Sequence, residues 1–197
     1  MNRYIGELAT DVYGIAADEA RVAHLSWTAE EAAAADDDGL FAEQTVNDKD
    51  VEVTTFLNPM PCARTIIITP TGTAGNVKAV SAVVEGTDIG GNPISETLPE
   101  FTEDENTAVT STKAFKTVTK ITIPAQDGEV TFKAGWTDAL GLPFAFAKKP
   151  LVFALLGGTL ETTAPALTID SDEPQKNTID LNSALDGDNA VDAYFVL

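Results

Sequence analysis

The residue types that do chemistry most readily are scarce in this sequence, and their spacing builds no known machine. His24 is the single histidine and Cys62 the single cysteine. A Ser/His/Asp or Cys/His mechanism would have to be assembled around His24, yet no Gly-x-Ser-x-Gly elbow accompanies it. It reads as a half-buried or surface histidine. Cys62 sits in Asn58-Pro59-Met60-Pro61-Cys62-Ala63, between two predicted strands, and reads as a small, partly buried side chain rather than a nucleophile. A lone cysteine makes no intramolecular disulfide. One His and one Cys also fall short of the closed ligand set of structural zinc. The expectation is a non-enzymatic protein with no catalytic residue, metal ligand or cofactor.

Carboxylates are the remaining option. Asp36-Asp37-Asp38, Glu100 to Glu105, Asp170 to Glu173 and Asp186-Gly187-Asp188-Asn189 offer the oxygens that calcium prefers. None of them shows the full EF-hand loop with its terminal glutamate, so they read as solvated acidic loops. A glycosidase pair is defined by spacing in the fold, and here only Trp27 and Trp136 supply tryptophan for a sugar cleft. Lys113, Lys116, Lys120 and Lys133 fall in three neighbouring predicted strands, with Lys116 and Lys120 on one face. A solvated or self-paired face is the default for such a stripe. Gly90-Gly91 and Gly157-Gly158 lie outside any phosphate-loop pattern and read as turn glycines.

The elements that position these residues are strands, and the stretch Val77–Pro124 organises them. Val77–Val84 is rich in β-branched residues with apolar side chains on both faces, the pattern of a strand covered on both sides. Thr87-Asp88-Ile89-Gly90-Gly91-Asn92-Pro93 concentrates turn formers, and Ile94–Leu98 returns as the second arm of a hairpin. From Phe115, alternation sets Phe115, Thr117, Thr119, Ile121 and Ile123 against Lys116, Val118, Lys120 and Thr122, until Pro124 ends the run. Further strands are predicted at Leu40–Thr45, Val51–Leu57, Ala63–Thr69, Val109–Ala114, Val130–Trp136, Leu151–Leu156, Ala166–Ile169 and Val191–Val196. Val130–Trp136 has the cleanest half-buried alternation. The last of these strands ends the sequence without a polar tail, so it is expected inside a sheet or against a partner.

Residues 1–38 differ. Ile5, Leu8, Val12 and Ile15 approximate helical spacing, and Thr28 with Glu30 and Glu31 is a helix-start signal that the Ala32–Ala35 run would extend. Asp36-Asp37-Asp38-Gly39 opposes the helix dipole and stops it. The sequence thus predicts a mainly β protein, a sandwich or barrel of about ten short strands over 39–197, preceded by an N-terminal arm (1–38) containing a short helix. No βαβ alternation argues for a parallel sheet.

The runs VEGTDIGGNPISETLPEF, TSTKAFKTVTKITIP, GWTDALGLP and NTIDLNSALDGDNAVDAYFVL carry a resemblance. The chain resembles small virion structural proteins of tailed bacteriophages, in particular head decoration (capsid cement) proteins. KAFKTVTKI is the most distinctive string, and the likeness spans roughly the last three-fifths of the chain. The resemblance implies a role on the capsid surface, the major capsid protein as partner, and a homotrimer. The arm's Tyr4, Ile5, Leu8 and Tyr13 are then the expected anchors on a neighbour. A tail or neck position in the virion and a carbohydrate-binding β-sandwich are the alternatives.

The totals agree with that class. At 197 residues and 44% hydrophobic, the chain is long and apolar enough for a folded domain. A net charge of −19 argues against nucleic-acid binding, which needs lysine and arginine to neutralise phosphates. It also keeps the surface soluble. No stretch approaches the roughly 20 apolar residues of a membrane helix, and no basic end followed by an apolar run marks a secretory signal. The expectation is a protein made in the host cytoplasm, without nucleic-acid or membrane partners.

Overall fold

The computed structural model describes residues 22–73, 75–143, 145–146 and 151–196. The first strands in chain order are β1 (Val22–Trp27), β2 (Asp36–Val46), β3 (Val51–Val53), β4 (Arg64–Gly72) and β5 (Val83–Thr87). β6 (Pro93–Thr97), β7 (Val109–Phe115), β8 (Thr117–Ile123) and β9 (Val130–Gly141) follow. The chain closes with β10 (Leu151–Leu156), β11 (Thr159–Leu160), β12 (Ala166–Thr168), β13 (Thr178–Asp180) and β14 (Val191–Val196). The protein is mainly β, as its alternation predicts, and every strand pairing among the described residues is antiparallel.

β9 is the beam of the molecule. It pairs with β2, β4 and β13, within a sheet of order β12-β13-β9-β4-β7. Its first half (Val130, Phe132, Ala134, Trp136) fills one core, against a sheet of order β3-β8-β5-β6. Its second half (Leu140), with Ile179 of β13, fills another core, against a sheet of order β1-β14-β10-β11. Two apolar cores thus share one strand. Burial on this scale is the main stabilising term, at about 25 cal/mol per Å² of apolar surface removed from water.

Pro70 shows how the sheet accommodates a residue without an N–H. β7 pairs with β4 only as far as Ile68, so Pro70 opposes Phe132 where β4 has lost its second neighbour. The run from Val109 to Ile123 breaks at Lys116 instead of continuing as one strand. There the chain leaves the β4 sheet as β7 and joins the β5 sheet as β8, with the Lys116 N–H donating to Thr87 O at 2.8 Å.

Two local expectations are corrected. The predicted strand Val77–Val84 holds only at its end. Ala82, Val80 and Val77 accept from Leu98, Phe101 and Asp104 at 2.9, 3.0 and 2.9 Å. Those donors step by three residues while the acceptors step by two or three, so no ladder register forms, and Val77 and Ala82 are buried from irregular chain that leaves Lys78 and Ala79 exposed.

The predicted helix after Trp27 is also absent. Its capping box does form, Thr28 N–H donating to Glu31 Oε2 (2.9 Å) and Glu31 N–H to Thr28 Oγ1 (3.2 Å). Ala32 N–H then closes a single turn on Thr28 O at 2.8 Å. Elongation stops because its groups are taken: Ala32 O accepts from Gly187 N–H, Ala34 O from the Trp136 indole, and Ala35 N–H donates to Asp138. Of the expected arm, Val22–Trp27 is a strand paired with β14 and Asp36–Asp38 open β2. Residues 1–21 lie outside the described residues.

β14 is paired on both sides, to β1 and β10, which is where an apolar final strand was expected to lie.

Candidate functional site

The expected anchors Tyr4, Ile5, Leu8 and Tyr13 lie outside the described residues. The described surface offers two other features. One is the outer face of the β1-β14-β10-β11 sheet, and the other is a groove beside the start of β8.

On that sheet, Ala23, Leu25, Trp27, Val191, Ala193, Phe195 and Ala154 face the core, so alternation turns His24, Ser26, Asp192, Tyr194, Phe153 and Leu155 outward. Registry places His24, Tyr194 and Phe153 side by side on β1, β14 and β10. Their rings stack in a row: His24 to Tyr194 at 4.5 Å and 7°, Phe153 to Tyr194 at 4.5 Å and 25°. Leu160 stands opposite Leu155 and Val22 flanks the other end, exposed by 54% and 68%. This is an apolar strip in a protein of net charge −19. His24 also meets Asp192, Nε2 to Oδ1 at 2.7 Å. Among the described residues no hydroxyl or thiol is hydrogen-bonded to His24, and one face of its ring stacks on Tyr194.

The groove has a volume of about 440 Å³ and is walled by Leu25 and Trp27 of β1, Met60, Cys62, Ile89 and Pro143, with Glu31 and Lys116 as its charged members. A neighbouring pocket of about 370 Å³, lined by Leu40, Phe56, Leu57 and Val118, shares the wall residues Met60, Lys116 and Thr117 with it. Cys62 Sγ donates to Glu31 O at 3.3 Å, and burial pushes the thiol up against the pull of Arg64, so it stays protonated at neutral pH. Cys62 is therefore a half-buried groove residue that carries its proton at neutral pH. Beneath it, Arg64 is the one buried charged residue among those described, donating from Nη1 to Thr137 O (3.1 Å) and from Nη2 to Glu31 O (3.0 Å). It ties the Glu31 turn to β9 and has no carboxylate partner among the described residues.

The lysine stripe is largely self-paired. Lys113 meets Glu173 at 3.6 Å, Lys120 meets Glu85 at 2.7 Å and Glu52 at 3.4 Å, and Lys133 meets Asp37 at 2.5 Å. Lys116 alone of the four has no acidic partner among the described residues.

The acidic clusters mostly serve their own turns. Asp170 accepts from the N–H groups of Asp172 and Glu173, and Asp186 from those of Asp188 and Asn189 and from the Asn189 amide. Asp36, Asp37 and Asp38 bring three carboxylates within 4.8 Å of one another. Crowding there raises Asp38, first through its hydrogen bond with Asp36 and then through burial and repulsion, while Lys133 offsets it.

The turns predict a pH dependence. The Asn189 amide, then the two turn N–H groups, hold Asp186 below its ordinary 3.8. A lowered folded value means stability that is complete above 3.8 and is lost as pH falls through the folded value. Between about pH 5 and about pH 2, Tm should fall less steeply in Asp186→Asn than in the parent chain. Equal slopes would mean that the turn's hydrogen bonds do not distinguish the carboxylate.

The sequence reading missed Phe153, Tyr194, Val22 and Leu160 as surface features. A signal was there: Leu151–Leu156 is apolar at every position, although an antiparallel strand with one solvated face should alternate.

In comparisons with known proteins, no family model, no curated protein and no solved structure matches the chain.

Proposed function

We propose that the chain is a non-enzymatic virion structural protein, a decoration protein that stabilises the outer capsid lattice of a tailed phage. Supporting the assignment to that class is the resemblance carried by KAFKTVTKI and its neighbouring strings. The observation that carries a docking role is the exposed His24–Tyr194–Phe153 row, flanked by Leu160 and Val22. Buried aromatic anchors supply most of the energy of a typical interface. Here they stand on three hydrogen-bonded strands, so less ordering entropy opposes docking than for an unpaired segment. Tyr4, Ile5, Leu8 and Tyr13 serve as further anchors on the major capsid protein. Bound copies stabilise the lattice by mass action, since they bind the assembled form and not its dissociated subunits. A homotrimer belongs to the same reading, and sedimentation equilibrium tests it directly.

Cosedimentation with undecorated capsids of the cognate phage, alongside tail fractions, tests the function. Saturable binding to heads is expected, and Phe153→Lys should weaken it by roughly tenfold or more, the scale of an interface hot spot. Binding to tails alone would move the protein to the tail or neck, and binding to neither would overturn the virion role. The glycan-binding alternative is disfavoured by the row itself. Sugars stack on ring faces, whereas these rings turn their faces to one another.

A further inference from the structure

Arg64 carries the charge that the fold leaves unanswered. Its side chain is fully buried, and among the described residues no other charged side chain is. Nη1 and Nη2 donate to the backbone oxygens of Thr137 and Glu31, while Nε is buried without a hydrogen-bond partner. Two carbonyl oxygens orient a guanidinium but do not neutralise it, and a buried cation without a counter-charge is destabilising. No free anion reaches Arg64 from solvent, because it exposes no surface.

One side chain spans the gap between that cation and the groove. Cys62 lines the groove, and its Sγ donates at 3.3 Å to Glu31 O, the same oxygen that accepts from Arg64 Nη2. The guanidinium adjoins the thiol and favours its anion, but burial outweighs that pull and the Glu31 carboxylate opposes it. An oxygen acid on the same sulfur changes the balance. A sulfinic acid is far stronger than a thiol, and its two oxygens match the forked donors of arginine. We infer that Cys62 is an oxidation site, converted by a small hydroperoxide entering the groove to a sulfinate that Arg64 holds. In the first step the thiolate sulfur attacks one peroxide oxygen. The S–O bond forms as the O–O bond breaks, sulfur gives up two electrons, and the other oxygen leaves as hydroxide, which takes a proton to become water. A second peroxide oxidises the sulfenic acid in the same way, releasing water and, on ionisation, one proton. The protonated thiol makes the first step slow at neutral pH and faster as pH rises. The burial of Arg64 is already incurred in the reduced chain, so the new anion supplies a missing counter-charge. Oxidation should therefore stabilise this protein. The site is independent of the virion reading.

The full-length protein is treated with excess hydrogen peroxide at mildly alkaline pH, beside Cys62→Ser, which accounts for oxidation of the two methionines. Peptide mass spectrometry should place two added oxygens on Cys62. Thermal melting by circular dichroism should then show Tm about 2–4 °C above that of the untreated chain, with no such rise in Cys62→Ser. Cys62→Asp, whose carboxylate resembles a sulfinate, should melt above Cys62→Asn by a similar margin, since only the former gives Arg64 an anion. A Cys62 that stays reduced, or goes on to the sulfonate without pausing, would overturn the proposal. So would a sulfinate that leaves Tm unchanged or lowers it, or Cys62→Asp melting no higher than Cys62→Asn.

Discussion

Phe195→Asp should abolish the cooperative melting transition. Phe195 is fully buried on the central strand of its sheet, between β1 and β10, with its ring 5.5 Å from that of Phe146. Truncating a buried phenylalanine costs about 3–5 kcal/mol. The introduced carboxylate adds several more, because among the described residues the core around it is apolar and offers no cation. Set against a total stability of about 5–15 kcal/mol, the sum removes most or all of it. Thermal melting by circular dichroism checks this, with Asp192→Ala as the control. That residue lies on the same strand but the outer face, where its loss removes only the half-exposed pair with His24, worth about 1 kcal/mol or less. A parent-like melt for Phe195→Asp would contradict the placement of the second core.

Gly135→Ala should lower Tm by about 6–12 °C, from a cost of about 3 kcal/mol. β2 crosses β9 so closely at this point that a Cβ on Gly135 would sit 1.7 Å from the carbonyl oxygen of Asp36 and 2.7 Å from its carbon. Backbone cannot swing aside as a lysine side chain can. Relief would require β2 to lift from β9, loosening the Asp36–Trp136 pairing and the register shift that follows it before Phe41. Gly90→Ala is the comparison, since its nearest neighbour is the Asn92 amide at 3.1 Å in an exposed turn. That change should cost less than about 1 kcal/mol. Equal effects at the two glycines would mean that β2 yields readily and that the contact with β9 is loose.

Much of this architecture was legible because strand periodicity is a local property. Val130–Trp136 alternates, and the structure buries Val130, Phe132, Ala134 and Trp136 as that pattern demands. The Gly90-Gly91 and Gly157-Gly158 turns also follow from local conformational preference, with Gly91, Gly157 and Gly158 at φ of 82°, 56° and 75°, where a side chain is strained. The helix-start signal at Thr28 forms its cap, but the helix expected after it does not follow. What decides between one turn and several is where Ala32 O, Ala34 O and Ala35 N–H find their partners, and those lie on the segment around Gly187 and on β9. β13 escaped notice because three residues carry too little periodicity to register.

The candidate surfaces divide the same way. The self-pairing of Lys113, Lys120 and Lys133 was the default for a lysine stripe, and those ion pairs form. That Lys116 has no acidic partner among the described residues was not foreseeable, because its position depends on the chain changing sheets there. Nor was the ring row, for His24 and Tyr194 are far apart in sequence and meet only through the register of β1 on β14.

By itself the sequence determined the mainly β class, most strand positions and the acidic turns. Side-chain type and period settle these within a few residues of chain. The tertiary structure alone decided that β9 serves two cores, that a row of stacked rings lies on an outward sheet face, and that a groove opens beside Lys116, which has no acidic partner among the described residues. Those features depend on which strands become neighbours, and long-range pairing sets that, not the local propensities the sequence displays.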